Sequence, residues 1–230
     1  MANRRFYKSD ESFLEKISIG AIGTHRVFED LKRQGHSPLE LERGSMSFKI
    51  WKTVKIKRIR VPDLLCVNCG RRVESRAKTT LEISMSHSLS DPERSWDSGL
   101  DDDDCVAFVS CRRIGEMPMD WQADDLVQYV SVHDLRTAQQ TGRAVLKQPK
   151  GAEEGFESRV SWPAAIAHAS GVIVSVTPER IQYKRSPDNR TSSLSLLKKE
   201  LTLIPLVAAG ESISTNQVIG AVIPASRQFT

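Results

Sequence analysis

Apolar side chains at Phe13, Ile17, Val27, Phe28 and Leu31 recur close to every 3.6 residues, a spacing that predicts an amphipathic helix over 12–34. Ser12 with Glu15 has the form of a capping box, Gly35 supplies a stop, and Gly20 and Gly23 weaken the middle. The period then falls to two. Leu39 and Leu41 alternate with Glu40 and Glu42, Arg43-Gly44-Ser45 reads as a turn into Phe48-Lys49-Ile50-Trp51, and Val54 and Ile56 alternate with Lys55 and Lys57. Parity flips between Lys57 and Arg58, so that Ile59 and Val61 continue the apolar series, which predicts a bulge or bend there. Residues 71–83 form a long strand or one broken at Thr79-Thr80, and Cys105 to Cys111 is an apolar run of the kind found in buried strands. The segment 90–104 reads as a loop, 126–132 as a strand, and 133–140 as a short helix ending at Gly142.

Near Gln148 the character changes. Lys150-Gly151-Ala152-Glu153-Glu154-Gly155 is linker-like, and strand-like runs follow at 172–176, 181–184, 201–207 and 218–223. The expected architecture is α/β (α+β): a mixed-sheet domain with flanking helices over residues 1–148, then a small β-rich domain over 149–230.

Composition narrows the function classes. With 230 residues, 27% charged and 39% hydrophobic, the chain has the balance of a globular protein with a real core. Its start lacks the apolar core of a secretory signal, and its best apolar stretch, 164–176, is broken by His168, Ser170 and Gly171, so a soluble, cytoplasmic protein without a membrane partner is expected. Four cysteines, two in Cys-x-x-Cys, fit a reducing compartment and metal or structural thiols. The net charge of +4 is small but unevenly spread: residues 46–80 hold ten Lys or Arg against Asp63 and Glu74, whereas 91–104 holds seven acids and one Arg. The basic run, with Lys49, Lys52, Lys55, Lys57, Arg58 and Arg60, is suited to neutralising nucleic-acid phosphates, or to a solvated strand face.

The densest chemistry lies in 60–78, where Pro62-Asp63 precedes Cys66-Val67-Asn68-Cys69-Gly70, followed by Glu74, Arg76 and Lys78 at alternate positions. In a strand those three side chains share one face. The Cys-x-x-Cys-Gly turn resembles a zinc knuckle, with Cys66 and Cys69 as zinc ligands and Gly70 permitting the turn. Cys105 and Cys111, at the two ends of one strand, lie roughly 20 Å apart and cannot share an ion. At most one of them joins the site, and His87 or an acid would complete it. The other histidines form no i, i+4 pair, and no Gly-rich phosphate loop is present.

Pro62-Asp63 with Glu74-x-Arg76-x-Lys78 resembles the PD-(D/E)xK restriction-endonuclease-like superfamily, in the order helix, strand, strand with Asp63, strand with Glu74. The resemblance implies a restriction-endonuclease-like mixed sheet and Mg²⁺ held by Asp63 and Glu74. It also implies phosphodiester hydrolysis, with Arg76 and Lys78 as the catalytic cations and DNA favoured over RNA as partner. The motif departs from the family where Arg76 stands in place of lysine, with Lys78 one pleat further on, about 7 Å. The acid often supplied by the first helix would be Glu15 or Glu29. Near the C-terminus, Ser170-Gly171-Val172 and the strand, Gly210-Glu211 turn and strand over 206–219 resemble the half-motifs of barrel-sandwich hybrid domains, which implies a docking platform for other proteins and a chain expected to be a truncated piece of a longer one. The alternative to a nuclease is a non-catalytic, zinc-stabilised module that binds nucleic acid or docks within a larger assembly; a third reading is a structural adaptor.

Overall fold

The computed structural model describes residues 10–41, 62–89, 91–147 and 158–229. Helix α1 spans Asp10–Arg33, so Ser12 falls inside its first turn and not at the cap. The helix closes as the sequence predicts. Gly35 takes a φ of +86°, its N–H reaches Lys32 O at 3.0 Å, and the His36 N–H reaches Leu31 O at 3.0 Å, the paired bonds of a Schellman cap.

Next come β1 (Pro38–Glu40), β2 (Leu64–Cys66), β3 (Arg72–Lys78), β4 (Ile83–His87), β5 (Cys105–Arg113) and β6 (Trp121–Ser131). Five of them form a mixed sheet ordered β1-β2-β3-β5-β6, antiparallel except for the parallel β3/β5 pair. Alternation assigns the faces. Val27 and Leu31 of α1 pack in one buried cluster with Val73, Cys105, Ala107, Val109, Val127 and Tyr129, and Ala77 packs against it. Glu74, Arg76 and Lys78 therefore lie on the face away from α1, in register with Val106, Phe108 and Ser110. Gly23 sets the helix-to-sheet distance, because a Cβ there would stand 2.3 Å from the Ala77 Cβ.

The far face of the sheet is covered by a second layer. It comprises helix α2 (Val132–Gln140), a 3₁₀ turn at Pro92–Arg94, and a small sheet in which β8 (Ser158–Trp162) lies between β4 and β7 (Val145–Lys147). Ser131 caps α2 by accepting the Asp134 N–H at 3.0 Å. Strands β9 (Ala164–Ile166), β10 (Gly171–Val176), β11 (Arg180–Arg185), β12 (Thr191–Ser195), β13 (Leu197–Lys198), β14 (Leu201–Thr202), β15 (Ile204–Pro205), β16 (Ser212–Ile213) and β17 (Val218–Ala221) make the β-rich remainder. They form the sheets β12-β11-β10-β16 and β15-β17-β9 and the pair β13-β14.

One apolar cluster runs from Val106 and Phe108 through Trp96 and Trp162, whose rings meet edge-on at 5.1 Å, to Ile173, Ile181 and Tyr183. It crosses the boundary expected at 148/149. The C-terminal segment also returns to the first sheet, where Ser226 and Tyr129 exchange backbone hydrogen bonds and Phe229 joins the α1 cluster. The α+β class holds. The expected loop over 90–104 carries the 3₁₀ turn and is anchored by its acids: Asp104 and Asp101 bind Arg72, and Asp97 and Asp102 bind Arg136. No described helix is long and apolar enough to cross a membrane.

Candidate functional site

The candidate site is built on the β2–β3 hairpin. Leu64 pairs with Val73 and Leu65 with Arg72, where the ladder ends, and Asp63 lies one residue before β2. The Asp63 carboxylate is tethered there, since its Oδ2 accepts the Ser75 N–H at 2.7 Å, while its carbonyl accepts the Leu41 N–H at 2.9 Å. Glu74 is buried, with only 7% of its side chain exposed, and its Oε1 lies 2.6 Å from Arg76 Nη2. Asp63 is thus bonded to the residue that follows Glu74, and Arg76 is bound to Glu74 itself.

Lys78 is elsewhere. Four residues along the strand place it about 13 Å from Glu74. Its Nζ donates to the Ser84 carbonyl at 2.9 Å and to Ser84 Oγ at 2.6 Å, and lies 3.4 Å from Glu82 Oε1, which also pairs with Arg159 at 2.8 Å. Burial pushes the Lys78 ammonium down to about 8, opposed by Glu82 and reinforced by Arg159. This lysine fastens β3 to the start of β4.

The turn between the strands forms the second constellation. Gly70 adopts a φ of +76°, its N–H reaches Cys66 O at 2.8 Å, and the Cys66 N–H reaches Arg71 O at 2.9 Å. Cys66 is buried and Cys69 exposed, and the ligand atoms of His36, Cys66 and Cys69 all lie within 4.8 Å of one another. Cys66 Sγ is 3.6 Å from His36 Nδ1. Burial pushes the Cys66 thiol up, but hydrogen bonds from the backbone of Cys69 and Ser37, the Cys69 side chain and the Asn68 backbone outweigh it and bring it to about 6.

His36 is the member of this group that sequence spacing does not reveal. It lies 30 residues before Cys66, and only the helix cap and the β1/β2 pairing, with Pro38 opposite Cys66, bring it to the turn. Its ring is held edge-on against Phe229 at 4.8 Å. His87, considered for this role, instead accepts the Trp96 N–H at 3.3 Å. Cys105 and Cys111 are buried in β5 outside the cluster, and burial pushes both thiols up to about 11.

The expected nucleic-acid-binding residues Lys49, Lys52, Lys55, Lys57, Arg58 and Arg60 lie outside the described residues. Glu15 is paired with Arg113 at 3.5 Å and Glu29 with Lys32 at 3.7 Å, so both acids considered for the helix position have basic partners. A cleft of about 700 Å³, lined by Trp162, Pro163, Lys147, Lys198 and Lys199 among others, includes neither Asp63 nor Glu74. Comparison with protein-family models, curated proteins and solved structures finds no match to this chain.

Proposed function

We propose that the protein is a DNA-binding phosphodiester hydrolase on a restriction-endonuclease-like core, with Asp63 and Glu74 as the acids that hold its divalent cation. The observation that supports this reading is the 2.7 Å bond from the Ser75 N–H to Asp63 Oδ2, which ties Asp63 to the residue that follows Glu74 on β3. The element order supports it: a helix, three antiparallel strands, then a strand parallel to the third.

Carboxylates such as those of Asp63, just before β2, and Glu74, on β3, are the hard oxygen donors that Mg²⁺ takes, and when bound it would polarise a phosphate and lower the pKa of a water. The chain's own residues do the rest. Ser75 fixes Asp63. Arg76, which cannot release a proton at ordinary pH, holds Glu74 in place and offers a permanent positive charge to a phosphate oxygen. Lys78, occupied by Ser84 and Glu82, positions β3 and does not reach the reacting atoms. The run from Lys49 to Arg60 ends two residues before Pro62, so the segment that grips DNA leads directly into the site.

One observation favours a second reading. The 2.6 Å Glu74–Arg76 pair already neutralises one of the two acids, as expected of a non-catalytic, zinc-stabilised module that binds nucleic acid or docks within an assembly. Incubating the full chain with supercoiled and linear DNA in Mg²⁺ or Mn²⁺ separates the readings. Cleavage that is lost in Glu74→Gln while DNA affinity persists supports the hydrolase. Binding without cleavage supports the second reading, and no binding at low salt contradicts the hydrolase and any nucleic-acid-binding module, leaving a module that docks on protein partners.

A further inference from the structure

We propose that His36, Cys66 and Cys69 form a three-ligand zinc site that pins the end of α1 to the β2–β3 turn. This site is separate from the proposed hydrolytic pair and does not depend on it. The argument is geometric. A tetrahedral zinc with bonds near 2.3 Å to sulfur and 2.0–2.1 Å to nitrogen sets those two atoms about 3.6 Å apart. Cys66 Sγ and His36 Nδ1 stand at 3.6 Å, and the Cys69 sulfur completes a trio within 4.8 Å.

Each ligand is aimed by something independent of a metal. The Schellman cap, with Gly35 at positive φ, turns the chain out of α1 so that His36 comes next to β1, and Phe229 holds the ring edge-on. Gly70 closes the turn that presents both thiols, its N–H reaching Cys66 O at 2.8 Å. Supporting partners of this kind orient ligands before the ion arrives.

Competing chemistries fit less well. A nucleophilic Cys–His pair needs an accessible sulfur, and Cys66 is wholly buried. A redox Cys-x-x-Cys gains its reactivity from a following helix, whereas this turn runs into strand β3. A small ion entering past the exposed Cys69 meets neither objection. Two thiolates and an imidazole suit zinc, and reject Mg²⁺ and Ca²⁺, which take oxygen ligands. Three protein ligands would leave the fourth position to water, so the ion should be removable by chelators.

The consequence is mechanical. β1 and β2 are the roots of the segment 42–61, and the ion would clamp them at the end where Pro38 pairs with Cys66. Metal occupancy then stabilises the hairpin from which the basic run emerges.

The test is a Co²⁺ titration of the full chain, freed of metal by chelation under reducing conditions. The expected result is a thiolate-to-cobalt absorption band saturating at one ion per chain and displaced by Zn²⁺. His36→Asn and the exposed Cys69→Ser should weaken binding at least as much as the roughly 10- to 100-fold that loss of a supporting partner costs. Cys111→Ser, on β5, should leave the band intact and so serves as the folding control. With Zn²⁺ at 100 times its dissociation constant, the folded-to-unfolded ratio should rise about 100-fold. A folded chain with no such band, or a band undiminished in Cys69→Ser, would overturn the site. DNA cleavage in Mg²⁺ is a separate readout, so either proposal can fail without the other.

Discussion

Two glycines in α1 should respond in opposite directions to the same substitution. An alanine Cβ at Gly23 would lie 2.3 Å from Ala77 Cβ, 3.3 Å from Ala77 Cα and 3.2 Å from Val109 Cγ1, against an ordinary contact of 3.4–4 Å. The Ala77 Cβ is attached to the backbone of a central strand and cannot swing aside, so α1 must withdraw by about 1 Å or more. That withdrawal loosens the contacts of Val27 and Leu31 with the sheet. Overpacking of this kind costs roughly 1–3 kcal/mol, and the better helix propensity of alanine returns about 1 kcal/mol. The expected net effect of Gly23→Ala is therefore a loss of up to about 2 kcal/mol. Gly20 is exposed, with nothing within 4 Å of its added Cβ, and Gly20→Ala should gain about 1 kcal/mol from propensity alone. For a chain of this size each kcal/mol shifts the melting temperature by about 2–4 °C. Urea titration should show the two midpoints moving apart at constant slope. A Gly23→Ala variant stabilised as much as Gly20→Ala would refute the close seating of α1 on β3, and with it the placement of the strand that carries Glu74.

Other predictions rest on paired charges. Asp104 is buried, with Oδ1 accepting from Arg72 Nε at 3.0 Å and Oδ2 from Arg72 Nη2 at 2.6 Å. Asp104→Ala leaves that guanidinium only the exposed Asp101, and a loss of about 3 kcal/mol in chemical denaturation is expected; a loss below about 1 kcal/mol would contradict the pair's importance. Lys78 has a folded-state pKa near 8 against an ordinary 10.5, so between those values the unfolded chain binds the extra proton and stability rises with pH. Its contribution has a slope on the order of 1 kcal/mol per pH unit. In Lys78→Met that component of the rise between pH 8 and 10.5 should vanish, and identical pH profiles for the two proteins would show that the ammonium is not buried as described.

Local features of the fold were legible in the sequence because their causes are local. The 3.6-residue spacing predicted α1, Gly35 its end, Thr79-Thr80 the break between β3 and β4, and Gly70 the turn that presents the two cysteines. What escaped depends on contacts between distant segments. His36 reaches Cys66 only because β1 pairs with β2 across a long insertion. β8 joins β4 in register from Ile83/Trp162 to His87/Ser158 over more than seventy residues, which composition cannot announce and which carries the core past the expected boundary. The acidic run looked like a solvated loop because its partners, Arg72 and Arg136, lie on other elements. Lys78 looked catalytic from its position on the strand face, yet burial and Ser84 give it a fastening role.

The sharing of one divalent cation by Asp63 and Glu74 is tested most directly by electron paramagnetic resonance of Mn²⁺ titrated into the full chain, with the zinc site saturated beforehand. Mn²⁺ prefers carboxylate oxygen to thiolate and therefore reports on the acids. One Mn²⁺ bound per chain, lost alike in Asp63→Asn and Glu74→Gln while both variants stay folded, is the predicted result. No bound Mn²⁺, or binding that survives both substitutions, would mean that Arg76 alone serves Glu74 and that the hairpin holds no catalytic metal.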